Sequence, residues 1–149
     1  MDGRILLVIR SELVARRVEM TTEPSKTYPE LKVMAEQFLK DHRLGVLATG
    51  RKSGMPQQSI VGYQFDGADV VISTGDNAAK VKNIRRRPLV SIAVTDGPTC
   101  VVVSGEARLL QGAEAESYLG EAPGSGRQTG TPTLIVFAAA SYRWARLEG

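Results

Sequence analysis

From residue 31 the apolar positions fall at Leu31, Met34, Ala35, Phe38 and Leu39. This is the i, i+3, i+4, i+7, i+8 spacing of a helix that lays one stripe on a core. Thr27-Tyr28-Pro29-Glu30 reads as its start, a T-x-x-E capping box with proline at the first helical position. At Gly45 the period changes. Apolar runs follow at 45–49, 57–65, 68–74, 89–95, 100–110 and 133–139, each bounded by turn residues. Gly50-Arg51-Lys52-Ser53-Gly54, Asp66-Gly67 and Asp96-Gly97-Pro98 join neighbouring runs as hairpins. The pattern predicts a mainly β (α+β) chain, a six-stranded antiparallel barrel with a few short helices. Cys100-Val101-Val102-Val103 and Leu134-Ile135-Val136-Phe137 are apolar at every position. That predicts strands buried on both faces and, for so small a barrel, a second copy of the chain as the outer cover. The polar, glycine-rich stretch 112–132 holds one short helix around 113–118. Tyr142-Arg143-Trp144 then ends the ordered part, its rings either packing residues or walls of a pocket.

The first residues stand apart. Their apolar patch, 5–9, is too short for a signal-peptide core and is followed at once by Arg10. No run approaches the length of a membrane span. We expect 1–26 to be a poorly ordered N-terminal extension, with Met20 offering a second start, and 27–149 to be the folded domain. Of the 149 residues, 42% are hydrophobic and 23% charged, ordinary values for one globular domain. A single cysteine excludes a disulfide within the chain, and a single histidine argues against a zinc or iron site. Both suit a cytoplasmic protein.

No GxSxG elbow, HExxH, P-loop or GxGxxG motif is present. Cys100 lies in an apolar run and reads as an inert core residue. His42 closes the first helix, where an imidazole favours the terminal carbonyls. The carboxylates are scattered, with no pair placed for acid–base work. If the chain is an enzyme, its reactive atoms belong to a bound cofactor.

The charge distribution names a candidate site. The formal net charge is only +3, yet STGDNAAKVKNIRRRP (73–88) gathers Lys80, Lys82, Arg85, Arg86 and Arg87 just past a strand end. Ser73 and Thr74 offer hydroxyls, Gly75 lets backbone approach a ligand, and Asp76-Asn77 can cap the helix that follows. The helix N-terminus and Lys80 then present N–H groups and positive charge to an anion such as a phosphate. Lys82 and Arg85 to Arg87 read equally well as a solvated face that favours the helix C-terminus. An aromatic content of 5% and the lack of a recognised binding motif argue against a nucleic-acid partner.

Residues 45–94, GVLATGRKSGMPQQSIVGYQFDGADVVISTGDNAAKVKNIRRRPLVSIAV, resemble the pyridoxamine-phosphate-oxidase-like, FMN-binding split β-barrel family. Within it they are most similar to the branch of small actinobacterial oxidoreductases that use the deazaflavin coenzyme F420. The resemblance is carried by G-V-L-A-T, a G-x-P turn, a strand ending in S-T and A-K-x-x-N-I-R-R-x-P, in that order. It implies a homodimer with two cofactor sites at the subunit interface. It also implies that Ser73, Thr74 and Lys80 hold the cofactor phosphate, with Asn83 supporting them. Gln57, Ser59 and Val61 would run along the ring system, while Arg51, Lys52 and Arg85 to Arg87 would meet the acidic oligoglutamate tail. Relatives often carry a second basic residue where this chain has Ala78, which places more of the phosphate binding on Lys80. The implied activity is hydride transfer from reduced F420 to a small unsaturated organic substrate. Alternatives are an FMN-binding oxidase or reductase and a non-catalytic flavin or F420 carrier. The sequence names no substrate.

Overall fold

The helix and six barrel strands read from the hydrophobic pattern are all present in the structure, a computed structural model that describes residues 4–11, 14–21, 28–120 and 130–148. In chain order the elements are β1 (Arg4–Ser11), β2 (Val14–Thr21), α1 (Tyr28–Asp41), β3 (Leu44–Gly50), β4 (Pro56–Gly62), β5 (Gln64–Phe65) and β6 (Asp69–Gly75). They continue as α2 (Ala79–Arg86), β7 (Leu89–Asp96), β8 (Thr99–Gln111), α3 (Gly112–Leu119), β9 (Pro132–Ala138) and β10 (Ser141–Glu148). Every strand pair is antiparallel. The barrel runs β4–β3–β7–β8–β9–β6, and β4 and β6 come near each other without pairing. That gap is the split of a split barrel. Thr27 of the expected capping box lies outside the described residues. No described helix is long and apolar enough to cross a membrane.

Alternation of side chains fills the interior. Leu47, Ile72, Val90, Ile92, Val94, Val101, Val103, Ile135 and Phe137 meet Ala35 and Leu39 of α1 in one buried cluster. The expected strand 57–65 is interrupted at Tyr63, whose N–H donates to the Arg43 carbonyl at 2.9 Å and whose hydroxyl donates to the Leu39 carbonyl at 2.8 Å. Burial pushes its phenol up to about 12, so it stays a donor at any physiological pH. A second cluster, Val71, Leu110, Ala115, Leu134 and Val136, lies on the other face of β6 and β9 under α3. This corrects one expectation: β9 is buried on both faces because α3 of the same chain covers it. On β8 the outward residues Cys100, Val102 and Ser104 are half-buried. Cys100 is thus not a core residue, although burial does push its thiol pKa up.

The chain does not end at Trp144. β10 pairs with the first half of β8, and Trp144 meets Phe38 of α1 edge-on at 5.6 Å between ring centroids. Tyr142 donates to Glu36 at 3.3 Å. Both rings are therefore packing residues between β10 and α1. Arg4–Ser11 and Val14–Thr21, set apart by their sequence, pair as β1 and β2 at the sheet edge, where β2 also pairs with Arg146, Leu147 and Glu148 of β10.

His42 ties α1 to the β7–β8 hairpin. Its ring stacks on Phe38 at 4.1 Å, Nδ1 donates to the Phe38 carbonyl at 2.6 Å, and Nε2 donates to Asp96 at 3.0 Å. Two acceptors require two ring protons, so the Asp96 bond first, and then the Phe38 carbonyl, raise the pKa above 6.5. A raised folded-state value means that the stabilisation is complete below 6.5 and is lost as pH rises through the folded value. Thermal melts from about pH 6 to about pH 9 should show a downward step in wild type that His42→Gln lacks. Gly105 gives a second expectation, since a side chain there would run into the Ala138 carbonyl and the Phe137 ring. Gly105→Ala should lower unfolding free energy by about 1–3 kcal/mol in urea titrations.

Candidate functional site

The tail of β6 and the head of α2 are joined by a tight turn in which the Ala78 N–H donates to the Gly75 carbonyl at 3.1 Å. The helix then begins without a side-chain cap, its N-cap being Ala78. Asp76, expected to cap it, is engaged elsewhere: its Oδ1 accepts the Thr131 N–H at 2.8 Å and its own N–H donates to the Thr131 carbonyl at 3.0 Å. The Val81 and Lys82 N–H groups both turn back to the Ala78 carbonyl. The Ala79 and Lys80 N–H groups have no acceptor among the described residues, and the first turn holds no acid. Lys80 is the second residue of this positive helix end.

Ser73 and Thr74, paired in the sequence reading, are separated by strand alternation. Thr74 shares the barrel face with Val70 and Ile72 and is buried. Ser73 is exposed on the opposite face, the one that carries Val71 and α3. Gln57, Ser59 and Val61 stand opposite Thr49, Leu47 and Gly45 in the β3–β4 register, so all three share the inner face beside the split. Val61 is buried, and Gln57 and Ser59 are half-buried.

Asn83 connects the two halves. It is 3% exposed, in the middle of α2, and its Nδ2 donates to Thr49 Oγ1 at 3.0 Å and to Gln57 Oε1 at 2.6 Å. Its Oδ1 accepts from Arg86 Nη2 at 2.8 Å. Val81, Asn83 and Ile84 are the buried face of α2, so the same turn that sinks two apolar side chains brings Asn83 onto β3 and β4. Thr49 was not foreseen, although its place opposite Gln57 follows from counting outward through the 50–54 turn. Arg51 and Lys52 are exposed in that turn, and Arg87 lies over Gly50 beside it. Lys80 lies seven residues before Arg87, about 10 Å along the helix axis. The basic residues therefore form two groups, one at each end of the helix.

On the opposite face of the sheet an apolar groove of about 620 Å3 is walled by Ala48, Pro56, Leu89, Ser91, Ser104 and Glu106. No cofactor-binding residue expected from the sequence lines it, while Thr49 borders both groove and cluster. Near it Leu89 is 71% exposed, and Ile60 of the adjoining strand is 81% exposed.

Residues 31–143 match the sequence model of the pyridoxamine 5'-phosphate oxidase family. The chain belongs to that family. Many solved structures share its fold, among them the following three. An F420 reductase is 21% identical with a TM-score of 0.60, over 72% of this chain and 94% of its own. A FAD-binding protein from Mesorhizobium loti is 17% identical at TM-score 0.65, over 89% and 99%. A heme-binding protein from Mycobacterium smegmatis is 22% identical at TM-score 0.65, over 83% of this chain and 58% of its own. At these identities the likeness is one of fold, and this family member's site rests on its own residues.

Removing Asn83 strips partners from two strands and from Arg86 at once. Asn83→Ala should cost about 2–3 kcal/mol in urea unfolding, the loss expected for a buried network left unsatisfied. Arg85→Ala, at an exposed position on the same helix, should cost less than about 0.5 kcal/mol.

Proposed function

We propose that this chain is an oxidoreductase that binds a phosphate-bearing flavin-type cofactor, coenzyme F420, along the split between β4 and β6. The observation that carries the reading is the start of α2 without a side-chain cap, where two N–H groups with no acceptor among the described residues meet Lys80 with no acid in the first turn. These groups fit a phosphate: the N–H groups donate, the dipole favours negative charge, and the ammonium neutralises it. Thr74 and Gly75 end the strand that leads into this point. Gln57, Ser59 and Val61 supply a polar-to-apolar edge for a ring, and Arg51, Lys52, Arg85 and Arg87 supply charge for an acidic tail.

A bound reduced deazaflavin supplies a hydride, which would pass to an electron-poor double bond of a small substrate while a proton follows from water. The chain's own part is to fix the ring and exclude water around it. No side-chain acid is required, in keeping with the scattered carboxylates. Exposed Leu44, Ile60, Leu89 and Met55, with the apolar groove, support self-association through the outer face. The cofactor sites would then sit beside a homodimer interface. FMN is the second reading, supported by the same phosphate-binding groups and by the fold shared with a FAD-binding protein.

Fluorescence titration of the ligand-free protein with F420 and with FMN tests the proposal. We expect micromolar or tighter F420 binding, weakened about tenfold or more in Lys80→Ala, as loss of a charge-assisted phosphate contact requires. Preference for FMN would move the chemistry to a flavin oxidase or reductase. Binding of F420 without turnover of any unsaturated substrate would indicate a carrier, and binding of neither would end the cofactor reading.

A further inference from the structure

An arginine side chain has only donors, so it fixes the direction of any hydrogen-bond chain that it starts. Arg86 starts one here. Its Nη2 lies 2.8 Å from an Asn83 side-chain atom, and that atom must be the oxygen. Were the amide reversed, its NH2 would face the guanidinium, donor against donor. The Asn83 NH2 therefore faces the strands and donates to Thr49 Oγ1 and Gln57 Oε1. Reversal of the Gln57 amide would again set NH2 against NH2. Polarity is thus passed from Arg86 through Asn83 to Gln57, and what emerges at the far end is the Gln57 NH2.

That NH2 has no acceptor among the described residues. Gln57 is half-buried on the inner face of β4, which among the described residues pairs with β3 alone. A side chain normally free to present either its oxygen or its nitrogen has here been reduced to a donor. Ser59, two residues along the same face, keeps both capacities and cannot discriminate in this way.

We propose that Gln57 is a specificity-determining donor, which accepts at this point a ligand ring edge bearing a carbonyl or unprotonated ring nitrogen and disfavours one bearing N–H. Arg86 is a positioning residue that acts through Asn83 and does not touch the ligand. The proposal rests on the cofactor reading above and adds the polarity of one contact to it.

The probe is FMN, which carries ring carbonyls but no oligoglutamate tail, with F420 beside it. Gln57→Glu keeps the shape and still accepts from Asn83, but offers the ligand a charged acceptor in place of a donor. It should weaken FMN and F420 binding about tenfold or more while leaving the melting temperature nearly unchanged. Arg86→Met should weaken FMN binding several-fold in wild type and have no further effect in a Gln57→Leu background, whereas Arg86→Lys should restore most of it. A full Arg86→Met loss in the Gln57→Leu background would mean that Arg86 acts on the ligand directly, overturning the relay. So would unchanged FMN binding in Gln57→Glu.

Side-chain amide exchange by NMR in the ligand-free protein reads the polarity without any cofactor. The Asn83 NH2 should be protected and the Gln57 NH2 open to solvent, becoming protected when FMN is added. The reverse pattern overturns the proposal. If neither ligand binds wild type, the cofactor reading falls and the role of Gln57 toward a ring falls with it, while the relay stands or falls on the exchange pattern alone.

Discussion

At Gly105 the long strand β8 passes so close to the Ala138 carbonyl that no side chain fits between them. This close approach holds the architecture together, because β8 belongs to both sheets. Residues 99–106 pair with β7, and 99–104 with β10, whereas 107–111 pair with β9. The strand must turn from one partner set to the other within two residues. The Ala107 N–H to the Pro88 carbonyl at 2.7 Å and the Ala140 N–H to the Ser104 carbonyl at 2.8 Å secure the corner. With the sheets folded over in this way, β4 and the stretch of β6 beyond its two-residue pairing with β5 are left facing each other without pairing. The split where a ligand can lie is thus a consequence of the corner on the other side of the barrel.

Unpaired edges expose backbone and invite misassembly. Here α2 crosses between β6 and β7 and packs on β3, with Asn83 reaching across to Gln57 of the open strand. A buried asparagine would be costly without partners, but this one has Thr49, Gln57 and Arg86. The same short helix therefore packs on the core and, in the proposed reading, also binds the cofactor. Val81 and Ile84 anchor it in the core, Asn83 orients the strand edge, and its uncapped N-terminus with Lys80 faces the other way along the axis. In the proposed reading a change at Lys80 acts on binding, whereas one at Asn83 acts on stability first.

Two apolar strands illustrate how similar sequence patterns find different covers. Leu134-Ile135-Val136-Phe137 lies between the barrel core and α3, and both of its faces are filled from within the chain. On 100–103, Val101 and Val103 are in the core while Cys100 and Val102 remain half-buried on the face that carries the apolar groove. Successive apolar residues report that both faces are desolvated to some degree. They do not report what does it.

Local patterns determined a great deal of this protein. The six barrel strands, the stripe of α1 and the break from strand into the basic helix follow from periods of 2 and 3.6 and from glycine, proline and Asp-Gly turns, because each is enforced by neighbours a few residues away. The resemblance of 45–94 carried the family. His42 on the carbonyls of its own helix was legible for the same reason, although its Asp96 partner was not. What tertiary structure decided is what depends on distant residues. β10 reads weakly by itself and is held by β8 and by α1 through Phe38 and Trp144. Asp76 gave up its cap for the backbone of Thr131, fifty-five residues away. Ser73 and Thr74 are adjacent in the chain yet face opposite sides of a sheet. Above all, Thr49, Gln57, Asn83 and Arg86 became one hydrogen-bonded chain only when α2 was laid on the β3–β4 hairpin, since the direction of a hydrogen bond is a property of the whole set of partners and of no residue alone.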